Sequence, residues 1–136
     1  MTHVMLVGRD AALLEGLVQS LAAQGHVPRV ARTLAEAREL SRATPPLVLV
    51  VDRALASDAG ADLLTTPLAS GGARLLYRTA SAPLAPLLPA LQRAVLADLT
   101  LPLERHRLVA LVQSVGERAR LSGRTPRQTP PESRTL

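Results

Sequence analysis

The 136-residue chain contains no cysteine, lysine, asparagine, isoleucine, phenylalanine or tryptophan, and its single aromatic residue is Tyr77. Without cysteine there is no disulfide framework, no thiolate nucleophile and no cysteine-based zinc site. Without lysine, Schiff-base chemistry and a mobile ammonium group are excluded. Without aromatic platforms the stacking mode of single-stranded nucleic-acid binding is lost. The core must therefore be aliphatic, built from Leu, Val and Ala. No apolar run reaches bilayer-spanning length, and "MTHVMLV" lacks the charged and apolar regions of a secretory leader. The expectation is a soluble, cytoplasmic protein with no membrane partner.

All sixteen basic residues are arginine. Together with the missing AT-rich codons this is the usage expected of a GC-rich bacterial genome. The formal charge is +5, but residues 1–123 carry thirteen arginines against ten acids and the last thirteen residues carry three against one. The body is thus only mildly basic and has no arginine run, which speaks against a nucleic-acid partner.

The length suits one domain with one core. "HVMLV" (3–7) reads as a buried strand ending at Gly8. Asp10 then caps a helix whose Leu13, Leu14, Leu17, Val18 and Leu21 share a face, with Gly25 as its left-handed exit. "HVPRVA" (26–31) is a strand that Pro28 assigns to a sheet edge. "TLAEAREL" (33–40) starts a second helix, with Thr33 and Glu36 at capping-box spacing, and Pro45-Pro46 stops it.

"LVLVV" (47–51) is continuously apolar, the pattern of a parallel strand covered on both faces, and Asp52 follows it. "ADLLTTPL" (61–68) makes at most a short helix, and "ARLLY" (73–77) is a fourth strand. Prolines 83, 86 and 89 leave only "ALQRA" (90–94) expected to be helical in that stretch. "AVLADL" (94–99) is read as a fifth strand, and Leu108, Leu111, Val112, Val115 and Ala119 mark an amphipathic helix ending near Gly123. Residues 124–136, with three prolines and only the terminal leucine apolar, are expected to be a disordered tail.

Strands alternating with helices specify an α/β fold, an open parallel sheet with helices on both faces. Ligands of such sheets sit beyond the carboxyl ends of the strands. The residues expected there are Gly8, Arg9 and Asp10, then Asp52, then Arg78 and Thr79, then Leu101 and Pro102.

That set, over residues 3 to about 121, resembles the receiver domain of two-component response regulators, a five-stranded flavodoxin-like fold with strand order 2-1-3-4-5. The resemblance places Asp52 at the phosphoacceptor position, Gly60 at the loop glycine, Thr79 at the residue ending strand four, and Pro102 at the proline that follows a cis bond. The departures fall on the chemistry. Gly8 and Arg9 stand where receivers hold Mg²⁺ with two acids, Leu101 replaces the lysine, Ala56 replaces the loop proline, and Asp98 replaces the aromatic switch residue. Phosphoryl transfer to a carboxylate needs cationic charge on the equatorial oxygens. A receiver-like domain without it is expected not to be switched by Mg²⁺-dependent phosphorylation and to act as a pseudo-receiver, through a protein partner or a second copy of the chain.

Two other readings stay open from the residues: a receiver phosphorylated at Asp52 by an unconventional route, and a small-molecule-binding or enzymatic domain using the same sheet end. Taken alone, a strand-end aspartate such as Asp52 reads first as a loop-capping carboxylate, and it is the spacing of Gly60, Thr79 and Pro102 that turns the reading toward receiver ancestry. Arg9 is the arginine best placed to pair with it, with Arg53 and Arg78 as weaker alternatives. His3, His26 and His106 lack ligand spacing and read as surface histidines, so no metal or other cofactor is expected, and no catalytic residue is assigned. The partner surface is expected on the last helix with strand five and the segment before it. There Val95, Leu96, Leu99 and Leu103 supply surplus apolar area and Asp98, Arg105 and Arg107 a polar rim.

Overall fold

A computed structural model describes residues 2–58, 60–80 and 89–128. The strands β1 (His3–Val7), β2 (Val27–Ala31), β3 (Val48–Asp52), β4 (Ala73–Thr79) and β5 (Ala97–Leu101) form one parallel sheet in the order β2-β1-β3-β4-β5. The two unbroken apolar runs occupy the middle. Val4–Val7 of β1 and Val48–Val51 of β3 are wholly buried, as strands covered on both faces must be. Pro28 sits in β2, at the edge, where the missing amide costs no ladder bond.

The helices are α1 (Ala11–Ala23), α2 (Leu34–Ala43), α3 (Arg53–Asp58), α4 (Gly60–Thr65), α5 (Pro89–Ala94) and α6 (Arg105–Gln128). Asp10 caps α1 through a bond accepted from the Leu13 amide at 3.1 Å, and Gly25 leaves it at φ +85°. At α2 the N-cap Thr33 Oγ1 accepts from the Glu36 amide, and Glu36 Oε1 reaches one residue further back to accept from the Arg32 amide, a variant of the capping box. One core layer packs α1 and α6 on one face, around Leu6, Leu14, Leu17, Tyr77, Leu108 and Val112. On the other face Met5, Val7, Leu34, Leu63, Leu76 and Leu91 form the second layer.

Several expectations need correction. The fifth strand lies at Ala97–Leu101, not at residues 94–99, because Ala94 completes α5 and a continuous apolar run carries no boundary signal. The helix α3, directly after Asp52, was not legible from its short mixed sequence. The last helix continues to Gln128, past Gly123, while the remaining tail, 129–136, lies outside the described residues. So do residues 81–88, the proline-spaced stretch. His26 is buried rather than at the surface, tucked after the Gly25 turn beside Gln113 and Glu117 of α6. No helix among the described residues is long and apolar enough to cross a membrane.

Candidate functional site at the carboxyl end of the sheet

Because β1 and β3 are neighbours, with Val7 paired to Val51, Gly8 and Asp52 emerge side by side at the carboxyl end of the sheet. On its other side Asp52 is in register with Tyr77 of β4. The Asp52 side chain is half-buried, and its Oδ1 accepts a hydrogen bond from the Ala54 amide at 3.0 Å. This is an Asx turn leading into α3, the ordinary task of a strand-end aspartate.

The arginine clamp expected on Asp52 does not form. Gly8 is buried, so alternation along the extended chain sends Arg9 to solvent, where it does not reach the carboxylate. Arg53 turns the other way and forms an ion pair with Asp98 of β5, its side chain only 12% exposed against 37% for Asp98. Arg53 and Asp98 share a shallow concavity of about 270 Å³ with Leu76, Gln92, Val95 and Ala97.

Tyr77 is the residue that sequence reasoning passed over. Its ring is buried, and its hydroxyl stands where a side chain on residue 8 would have to go: a Cβ there would overlap the hydroxyl and lie 3.3 Å from Cζ. Gly8 is not among the glycines with positive φ, so its lack of a side chain serves space rather than backbone conformation. The Tyr77 hydroxyl has no hydrogen-bond partner among the described residues. Burial raises its pKa well above the ordinary phenol range, and the negative charges of Asp52 and then Asp10 push it further the same way. The phenol thus fills a position within electrostatic reach of both acids. The one available signal was compositional: a lone tyrosine two residues before Thr79 in an otherwise aromatic-free chain.

These residues do not fit Mg²⁺, which demands near-octahedral oxygen ligation and is usually held by one or two carboxylates. Asp52 and Asp10 each commit an oxygen to a backbone amide, and the space over residue 8 holds a neutral phenol. Among the described residues no group of three or more His, Asp or Glu could hold a metal ion.

The other sequence-selected residues divide. Thr79 and Pro102 come together, lining a concavity of about 380 Å³ with Asp10, Leu13, Leu17 and Arg105, and the Leu101–Pro102 peptide is cis. Asp52 does not line that concavity, and Gly60 is the first residue of α4. Leu101 is fully buried in the α1/α6 core layer, so the lysine position has become packing. Arg107 bonds Glu104 Oε2 at 3.0 Å, while Glu104 Oε1 accepts from the Thr100 amide at 2.7 Å. That amide first, and Arg107 second, hold the Glu104 carboxyl below its usual pKa. Leu99 is buried, whereas Leu96 and Leu103 are exposed, the latter at 70%.

No protein-family model and no curated protein sequence matches the chain. Solved structures do. A CheY-like response regulator receiver domain protein from Methanospirillum hungatei superposes with a TM-score of 0.68 at 22% identity, over 85% of this chain and 94% of that one. The fold is that of a response-regulator receiver domain. A putative response regulator from Chloroflexus aurantiacus is similar at TM-score 0.66 and 20% identity, over 84% and 96% of the two chains. NtrX from Brucella abortus, solved in complex with ADP, gives 0.67 at 14% identity, with 92% of this chain spanning only 28% of that longer one. The receiver fold and its strand order 2-1-3-4-5 are as the sequence resemblance implied.

Proposed function

We propose that this chain is a pseudo-receiver: a receiver-fold signalling domain that is not switched by Mg²⁺-dependent phosphorylation and that works by contact with a protein partner. The observation that carries this reading is the Tyr77 hydroxyl packed onto Gly8. Loss of a metal-binding acid alone would leave a polar, hydrated pocket beside Asp52. Here a phenol occupies the space instead, Asp52 caps α3, and the position of the aromatic switch holds an aspartate tied to Arg53. Gly8, Asp52, Asp98 and Leu101 thus carry packing, capping or ion-pair tasks at positions that would bind or sense a phosphoryl group. Asp52 is thus a structural anion held by a backbone amide.

Removing a single cationic stabiliser of a transferring group typically costs about a hundredfold or more in rate, and this chain lacks the metal ligands and the lysine together. Incubation with acetyl phosphate and Mg²⁺, followed by intact mass measurement, is expected to leave the protein unmodified. Efficient labelling that Asp52→Asn abolishes would overturn the pseudo-receiver reading and establish a working receiver. For the partner surface, the α5–β5–α6 edge offers exposed Leu103 beside Arg105, and exposed Leu96 at the opposite end of β5. Charge reversal at Arg105 and Arg107 is expected to weaken partner capture.

A further inference from the structure

The opposite end of the sheet carries a second feature, independent of the reading above. Where β4 and β5 begin, a concavity of about 360 Å³ opens between the end of α5 and the middle of α6. Three arginines from three elements line it: Arg74 of β4, Arg93 of α5 and Arg118 of α6. No carboxylate lines it among the described residues. Three other arginines meet acids: Arg42 with Glu39, Arg53 with Asp98 and Arg107 with Glu104. Here three arginines line one hollow without an acid beside them among the described residues.

We propose that this concavity is a binding site for a small phosphate ester. Arg74 lines it and is anchored to the end of α4 beside it. Its Nε donates to the Leu63 carbonyl at 3.0 Å, and its Nη2 donates to those of Leu64 and Thr66 at 3.1 and 3.2 Å. Those bonds close the end of α4 and explain why the residue is an arginine, but they use one side of the fork and leave Nη1 without a described partner. They also leave unexplained why Arg93 and Arg118 line the same hollow. Arg118 makes one long bond, to Ser114 Oγ at 3.3 Å, and Arg93 has no described partner. Burial lowers the Arg74 pKa, the mark of a charge placed where water solvates it poorly and where an anion is correspondingly welcome.

The chemistry of the lining selects the ligand class. Guanidinium forks match the oxygens of phosphate in paired, charge-assisted hydrogen bonds, and a concave cationic wall focuses the field on an approaching anion. The remaining lining, including Val95, Leu96 and Val115, is apolar and gives an organic substituent a surface to cover. The volume exceeds what a bare phosphate fills, which favours an ester over the free ion.

The test titrates the full-length protein with phenyl phosphate and, separately, with inorganic phosphate at low ionic strength, following backbone amide NMR shifts. Saturable shifts centred on Gly72, Ala73 and Leu96 are expected, with phenyl phosphate binding more tightly. Arg93→Gln combined with Arg118→Gln should weaken binding by at least about tenfold, the size expected when charge-assisted hydrogen bonds are lost. Both arginines are exposed, so the double variant should fold, which its melting curve would verify. Arg9→Gln, at the other end of the sheet, should bind as the natural chain does. Absence of saturable binding at millimolar ligand, or equal affinity in the double variant, would overturn the site, and equal affinity for the two ligands would overturn the ester assignment. Asp52→Asn leaves this test unaffected, so its result is separable from the fate of the pseudo-receiver reading.

Discussion

The Tyr77 hydroxyl occupies the space that any side chain at position 8 would need, and the two residues are therefore coupled. Gly8→Ala is expected to destabilise the protein by about 1–3 kcal/mol, the range for forcing extra volume into a packed interior. In a Tyr77→Phe background the penalty should shrink, because the overlapping atom is gone. Tyr77→Phe alone should lose no stability, since it removes a buried hydroxyl without a described partner. Urea unfolding of the four proteins of this cycle measures the coupling, and strictly additive effects would contradict it.

The same packing decides how a phosphoacceptor site could be rebuilt. Gly8→Asp, Arg9→Asp and Leu101→Lys together restore the acids and the lysine of a receiver, yet the new aspartate at position 8 would collide with the phenol. The triple variant is expected to stay unlabelled by acetyl phosphate and Mg²⁺, and addition of Tyr77→Val should yield a labile adduct. Labelling of the triple variant at the level of the quadruple one would show that the ring yields easily.

The Arg53–Asp98 pair ties the start of α3 to β5 with its guanidinium mostly buried. Partial burial should lift it to the upper end of surface pairs, a coupling of about 1 kcal/mol in a double-mutant cycle of Arg53→Ala and Asp98→Ala. High salt should weaken it only slightly. A coupling indistinguishable from zero would mean that solvent screens the pair fully.

His26 gives stability a dependence on pH. Burial, above all, lowers its pKa in the folded state, so below the unfolded value of about 6.5 the unfolded chain binds more protons. Stability is therefore expected to be flat with respect to this group above that pH, and to fall as pH drops through it toward the folded pKa. His26→Gln should flatten the slope in denaturant titrations at stepped pH. An unchanged slope would assign it to other groups.

The described packing of α6 reaches Val115, and Leu121 is 60% exposed. A chain truncated after Gly123 is expected to melt within about 2 °C of the full chain, the shift that corresponds to well under 1 kcal/mol. A larger drop would show that the residues beyond it dock.

Much of the fold could be read from the residues, because period and punctuation are local properties. The unbroken runs at 3–7 and 47–51 announced buried parallel strands, Pro28 an edge, and Asp10, Thr33 and Gly25 the ends of helices. Each signal acts within one turn or one strand and survives whatever surrounds it. The strand-end positions of Gly8, Asp52, Thr79 and Pro102 followed from the same alternation. Only the tertiary structure decided what these positions do. Whether Arg9 or Arg53 reaches Asp52, whether residue 8 has room for a side chain, and whether His26 is dry depend on side chains from different elements meeting in three dimensions. Tyr77 lies sixty-nine residues from Gly8 in the chain, and no local pattern could place its hydroxyl over that glycine. Packing joined them, through β3 lying between β1 and β4 in the sheet.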